Sequence, residues 1–392
     1  MKYWILVILL FAGLALKAQN VLSAEAQLSL ITCGPGEDEL YSAFGHSALR
    51  VKDSQQGIDL VFNYGIFDFD QPNFYLNFAR GHLLYMLAVN RWSDFFRIYQ
   101  MEGRFVREQV LNLDSTAKQK YWEFLVWNSA PENRDYLYDY FYDNCATRIR
   151  DGLLSALDSA SVHFKDKPHY QPAKSIRELC DVYLAQQPWG DFAIDFCLGL
   201  PMDKRADAQI EMFLPDLLAE AFEEAQIEVG GERKSLVLSD QVIIPQKFSP
   251  EPAGINRPFF FSALLLVLGV LATIFTYTNP RALRWFDALI WLITSLLGFF
   301  LLALWLLTDH QAAAYNFNIL VFNPLLIFPA IALMRNKWSS FSLKLMRYTP
   351  YYYALLLGAW LFLPQKMLIS LIPLVALFIL RGWYYYYKRS QF

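Results

Sequence analysis

The spacing of apolar and polar positions divides the chain into a first part of short mixed elements and a second part of long apolar runs. From Ala26 to Val51 the pattern reads as strand, Gly- and acid-rich loop, short helix, strand. Ala48 alternates with Arg50, and Leu49 with Val51, the period of a strand. Gly45, just ahead, lets another backbone come close. After a turn at Asp53–Gly57, Leu60–Tyr64 predicts the next strand, a hairpin partner of the first. Ile66–Leu87 is crowded with aromatics, and Pro72-Asn73 predicts the start of a helix carrying Phe74 and Phe78 that ends at Arg80-Gly81-His82. Phe95–Arg107 reads as helix then strand, continued to Leu113, and Ser115–Trp127 as helix. Tyr136, Tyr138, Tyr140 and Tyr142 alternate, the mark of extended chain. Ile149, Leu153 and Leu157 then recur at i, i+4, i+8, one face of a helix. Ser175–Gln187, Ala206–Phe213 and Pro215–Ala225 predict further helices. Gly230-Gly231 with Leu236–Ile244 predicts a terminal hairpin.

Beyond the linker Pro250–Pro258, five apolar runs are candidate membrane spans. They are Phe259–Tyr277, Trp285–Leu307, Phe317–Met334, the short Tyr351–Leu363 and Met367–Leu380, the last running on into Tyr384–Tyr387. Arg281, Arg284, Arg335, Lys337, Lys344, Arg347, Arg381, Lys388 and Arg389 lie between or after alternate runs, whereas the opposite loops carry only Lys366. The positive-inside rule then puts the basic loops in the cytoplasm and the first part of the chain outside it. One polar cluster interrupts this half. Asp309 and His310 lie in an outer loop, and Asn316, Asn318 and Asn323 enter the third run ahead of Pro324. Two readings stand: a membrane-face site for a lipid headgroup or acceptor amine built on His310, Asn316, Asn318 and Asn323, or helix–helix hydrogen bonding beside a wet loop.

Composition sharpens the compartment. The chain has 392 residues, enough for a soluble and a membrane domain, and 55% of them are apolar. A net charge of -3 gives no basic field for nucleic acid. Met1-Lys2 and the run Trp4–Leu16 have the form of a signal peptide, with Ala18 a plausible cleavage position. The division expected is therefore 1–18 signal peptide, 19–250 exported domain and 251–392 membrane domain. Export implies an oxidising space, in which Cys180 and Cys197 could form a disulfide and leave Cys145 free. Cys33 is a weaker rival for any role as nucleophile, and its pairing stays open. No Cys/His spacing suggests zinc, and no cofactor is implied.

The candidate chemistry centres on Phe141-Tyr142-Asp143-Asn144-Cys145-Ala146-Thr147-Arg148. Asp143 and Asn144 are good N-cap residues, so Cys145 falls in a first helical turn. Unpaired N–H groups and the dipole there favour a thiolate, and Arg148 is a further source of positive potential. The plain alternative is a small buried hydrophobe. His46, at the start of its strand, is the candidate base or imidazolium partner. Asn63 is a candidate to orient the imidazole, although an Asn at a strand end also closes turns, and Tyr64 carries the same ambiguity. His82, at a helix C-terminus, is a minor candidate. The aromatics of Ile66–Leu87 are mostly core, with some available for an acyl-binding wall or the membrane surface.

These residues resemble a family. A cysteine at a helix start packed on a strand-borne histidine is similar to NlpC-type papain-like peptidases. The order His then Cys resembles the permuted arrangement of lecithin:retinol acyltransferase relatives. Closer still is the resemblance to Lnb-type lipoprotein N-acyltransferases. It is carried by Gly34-Pro35-Gly36, Glu39-Leu40-Tyr41-Ser42, Phe44-Gly45-His46-Ser47-Ala48, Asn63-Tyr64-Gly65, Asn133-Arg134 and Asp143-Asn144-Cys145-Ala146-Thr147-Arg148, and it extends over the membrane half.

The resemblance implies an α+β, permuted papain-like periplasmic domain followed by a bundle of about five spans in the inner membrane. It implies acyl transfer from a phospholipid, through a thioester on Cys145 with His46 as base, to the N-terminal amine of a diacylglyceryl-cysteine lipoprotein. Asn63, Asn144 and Tyr64 are the candidates for orienting or oxyanion roles, beside the N–H groups of the helix start. The rivals are a peptidoglycan peptidase or amidase on the same fold, and a non-catalytic envelope protein in which Cys145 is structural.

Overall fold

The computed structural model describes residues 21–36, 40–157, 161–246, 254–277 and 283–388. The expected signal peptide, residues 250–253 of the linker, and Arg281 and Arg389 lie outside the described residues.

The N-terminal half is built on a seven-stranded antiparallel sheet. In chain order its elements are β1 Gln27–Cys33, β2 His46–Asp53, β3 Ile58–Ile66, α1 Phe74–Arg80, β4 Leu84–Arg91, α2 Trp92–Glu102, β5 Val106–Leu111, α3 Ser115–Asn128, β6 Asp135–Leu137 and α4 Cys145–Ala156. The chain continues with β7 Val162–His163, α5 Ile176–Leu184, α6 Pro188–Cys197, α7 Ala208–Glu211, α8 Pro215–Glu224, β8 Gln226–Val229, β9 Glu232–Ser235 and β10 Val237–Ile244. The strand order is β10-β5-β1-β2-β3-β4-β6, with a small sheet β7-β8-β9 beside it.

Period-two alternation sorts the sheet into two faces. Leu28, Leu30, Leu49, Val51, Phe62 and Tyr64 face α3, α4 and α8, which supply Trp122, Leu125, Ile149, Leu153, Leu218 and Phe222. Ile31, Cys33, Ala48, Val61 and Val106 face α2, through Phe95 and Tyr99. The first hairpin, the short helix after Asn73 and the helix after Asn144 stand as the spacing predicts. The terminal hairpin differs. Gly230-Gly231 joins β8 to β9, while β10 leaves them to pair with β5 at the edge of the main sheet. The extended run of tyrosines is cut short at Leu137, because Asp139 and Asp143 exchange backbone hydrogen bonds and turn the chain into α4. β4 and α6 carry no clear period in the sequence. α6 turns Trp189 and Phe196 away from the sheet, onto Phe261, Phe300 and Phe322 of the helical half.

That half comprises α9 Arg257–Phe275, α10 Arg284–Leu307, α11 Ile327–Arg335, α12 Ser340–Ala359 and α13 Ile372–Lys388. Three helical stretches, Arg257–Phe275, Arg284–Leu307 and Ile369–Lys388, are long and apolar enough to cross a membrane among the described residues. The bent pair Gln311–Leu320 and Pro324–Arg335, broken at 52°, makes a fourth if it is one span. The third apolar run is thus not a straight helix, because Asn316 and Asn323 cap new short turns and Pro324 restarts the chain. The fourth run belongs to a helix that begins earlier than expected, at Ser340, and carries Pro350 inside it. Gly382 leaves room for that proline: a Cβ there would lie 2.9 Å from Pro350 Cδ.

Arg381 is no loop charge. It is buried within α13 and forms a two-pronged pair with Asp287 of α10, both contacts at 2.6 Å. Tyr385 donates to the same carboxylate, and Arg381 also donates to Thr273 of α9. Removing one partner of such a pair strands the other charge. Arg381→Met is therefore expected to cost about 3–5 kcal/mol, read as a lower melting temperature in detergent. Arg381→Met combined with Asp287→Leu is expected to recover most of the loss.

Candidate active site

Asn144 sets the site's geometry. Its side-chain oxygen accepts from the N–H groups of Ala146 and Thr147, at 2.9 and 3.0 Å. Thr147 Oγ1 in return accepts from the Asn144 N–H at 2.8 Å, closing a capping box. The Asn144 amide group donates to the carbonyls of Tyr140 and Phe213. All of its donors are thereby engaged, so Asn144 fixes where α4 starts and has no N–H left for an oxyanion. Cys145 follows as the first helical residue, and is 7% exposed.

Strand β2 brings His46 to that thiol. His46 Nε2 lies 2.6 Å from Asn63 Oδ1, which makes Nε2 the protonated nitrogen and leaves Nδ1 for the sulfur. Burial by itself would raise the Cys145 thiol. The charge of His46, its side-chain hydrogen bond, and the backbone N–H groups of Ser47 and Ala146 outweigh burial and hold the thiol below its ordinary value. Burial by itself would lower His46, but the facing Cys145 and the bond to Asn63 carry its pKa above the ordinary value. The two shifts are one effect, each group favouring the charged form of the other.

Gly65 lets the Tyr138 ring pack close beside Cys145. It lies in the left-handed region at φ 87°, at a register shift between β3 and β4. A Cβ there would lie 3.2 Å from the Tyr138 ring and 3.9 Å from the Cys145 Cβ. The sequence carries Gly65 within Asn63-Tyr64-Gly65, but no local period reveals that its missing side chain admits the ring. Arg104 also escapes sequence reasoning. It donates to the Gly34 carbonyl at 2.9 Å and to Glu102, and its charge reaches His46 from outside the pair.

The other candidates are placed elsewhere. Tyr64 donates to Asn128 Oδ1 at 2.7 Å within the core. Arg148 grips Asp143 with two nitrogens and lies over the Tyr136 ring, so its charge is compensated locally. Cys33 sits directly across from His46 on β1, but burial pushes its thiol up to about 12, which makes it a poor nucleophile. All four cysteines are free. The Cys180–Cys197 disulfide that export would allow is absent because Cys180 is packed in the core around α5 while Cys197 is packed against the helical half.

The polar cluster of the membrane half forms a joint. Asn316 donates to the carbonyls of Phe196 and Cys197, and Asn318 to those of Asp195 and Phe196. These are the open carbonyls at the C-terminal end of α6. Asn323 caps the next turn through the Leu325 N–H. His310 Nε2 lies 3.1 Å from the Phe78 carbonyl, and His82 lies 2.7 Å from Asp309. Asn316, Asn318, His310 and Asp309 are bound across the seam between the halves, whereas Asn323 is bound within the membrane half.

Residues 17–181 match the Lnb N-terminal periplasmic domain. Residues 250–391 match the Lnb transmembrane domain, whose family label counts five transmembrane helices. The chain is an Lnb-type protein. It is a membrane protein with a periplasmic N-terminal domain and a multi-span transmembrane domain. The Cys145, His46 and Asn63 constellation falls inside the first matched segment, and the seam joins the two Lnb domains. No curated protein and no solved structure matches this Lnb-type chain.

Alkylation follows the thiolate. At neutral pH Cys145 is expected to react at least about tenfold faster with iodoacetamide than Cys33, Cys180 or Cys197. Because its pKa is lowered, the rate should persist to lower pH than for an ordinary thiol. His46→Ala should move that profile to higher pH. Peptide-resolved mass spectrometry over a pH series reads both effects.

Proposed function

We propose that this Lnb-type protein is a thiol acyltransferase of the inner membrane, with a permuted papain-like periplasmic domain. The reading rests on one observation: a cysteine opening a capped helix and facing an imidazole whose far nitrogen is fixed by an asparagine, an arrangement that lowers the thiol's pKa. The multi-span domain supports a lipid substrate over a soluble one.

The Cys145 thiolate attacks the acyl carbonyl of a phospholipid ester. The Cys145 N–H, which lies ahead of the two amides capped by Asn144, serves the oxyanion together with the Ser47 N–H that faces the sulfur. The C–O bond breaks, and the lysophospholipid oxygen takes the proton of the His46 imidazolium. The acyl chain is now a thioester on Cys145. An amine, by family resemblance the N-terminal amine of a diacylglyceryl-cysteine lipoprotein, attacks that thioester. The C–S bond breaks, the amide forms, and the amine's proton passes to His46, which restores the ion pair. Asn63 keeps Nδ1 aimed at sulfur in both halves of the cycle.

Mass spectrometry of lipoprotein N-termini tests the reading. Cells carrying the wild-type chain should show an added amide-linked acyl chain, and cells without it or with Cys145→Ala should not. His46→Ala should lower transfer by on the order of 10²–10⁴. Identical N-termini in all strains would exclude the lipoprotein acceptor.

A further inference from the structure

Helix α1 has no place in an ordinary soluble domain. It is seven residues long and none of its residues is buried. Tyr75 is 81% exposed, Leu76 56% and Phe78 45%, and Phe69 just before the helix is 67% exposed. So short a helix is marginal in water without something to pack on.

Its position says what that is. The Asp309 N–H donates to the Arg80 carbonyl at 2.9 Å, and His310 approaches the Phe78 carbonyl, so the transmembrane domain satisfies the open C-terminal end of α1. Gly81, left-handed at φ 77°, ends the helix where a Cβ would lie 3.4 Å from the Asp309 backbone. Asp309 follows α10 after the single cap residue Thr308, and the last residues of α10, Leu306 and Leu307, are themselves exposed and apolar. The helix is thus pinned level with the periplasmic end of a span, where aromatic side chains and an arginine such as Arg80 suit the headgroup boundary.

A series of rings leads inward from it. Tyr75 meets Phe74 at 5.3 Å, Phe74 meets Phe67 at 5.9 Å, Phe67 meets Tyr85 at 5.2 Å, and Tyr85 stacks on Tyr138 at 4.4 Å. Tyr138 is the ring that shares Gly65 with Cys145.

We propose that α1 and the turn before it are inserted in the periplasmic leaflet, and that the ring series guides a phospholipid acyl chain from there to Cys145. The insertion stands by itself, whereas the guidance rests on the acyl-transfer reading. The occupant is lipid because the exposed apolar side chains continue the surface of α10 at the height set by Asp309.

Photolabelling tests it with the full chain in nanodiscs of phosphatidylethanolamine and phosphatidylglycerol, doped with phosphatidylethanolamine bearing a diazirine midway along one acyl chain. Adducts are expected on the peptide spanning Phe69–Leu84 as well as on the spans. Labelling needs no turnover, so the pattern should be the same in Cys145→Ala, which separates insertion from catalysis. Adducts on α9 and α10 with none on Phe69–Leu84 would overturn insertion. The variant Tyr75→Ser/Leu76→Ser/Phe78→Ser should lose the Phe69–Leu84 adducts and slow acyl transfer at least tenfold, while Cys145 alkylates at its usual rate. Wild-type transfer by that folded variant would overturn the guided route.

Discussion

A nearly buried thiol resists ionisation, since taking the charged form out of water is costly. At Cys145 that cost is outweighed by a positive imidazole on one side and by backbone N–H groups of Ser47 and Ala146 on the other. The surrounding structure maintains this balance. Asn144 decides which residue opens α4 and orients its first amides. Asn63 fixes the ring of His46. Gly65 leaves room for the Tyr138 ring beside Cys145. Asn63 and Gly65 lie on β3, His46 on β2 and Asn144 at the start of α4, so the Cys145–His46 pair depends on the register of β2 with β3 and on the seating of α4 across the sheet.

The same logic extends to the seam with the membrane domain. Carbonyls left open at the ends of α1 and α6 find donors in the segment between α10 and α11: the backbone of Asp309 and the side chains of His310, Asn316 and Asn318. Those bonds fix the periplasmic domain against the transmembrane domain. On the proposed acyl-transfer reading, a domain free to tumble above the membrane would meet lipid esters with no preferred orientation. One pinned at two helix ends presents the same face each time.

Local signals in the sequence were legible because their causes are local. The cap at Asn144, the period after it, and the glycine ahead of His46 each act within a few residues, and they located the helix start and the strand that carry the site. The asparagine of Asn63-Tyr64-Gly65 was a candidate for the imidazole, with a turn-closing role equally open. What the sequence hid is decided by partners far along the chain. Asn316 and Asn318 read equally well as a substrate site or a structural joint until the carbonyls of α6 lie beside them. Arg148 looks like a source of positive potential until Asp143 closes on it. Cys180 and Cys197 look pairable because compartment is legible and packing is not. The fourth apolar run starts just after Pro350, yet α12 runs through that proline, since the space Gly382 leaves is invisible to any local rule.

The most direct test is to catch the sulfur carrying its load. Purified protein in nanodiscs is given phospholipid with an isotopically labelled acyl chain and no amine acceptor, then digested and read by mass spectrometry. The account predicts one labelled acyl group on the Cys145 peptide, released by hydroxylamine as a thioester should be, and lost in His46→Ala. Protein that transfers acyl chains when acceptor is added but never carries label on Cys145 would contradict it.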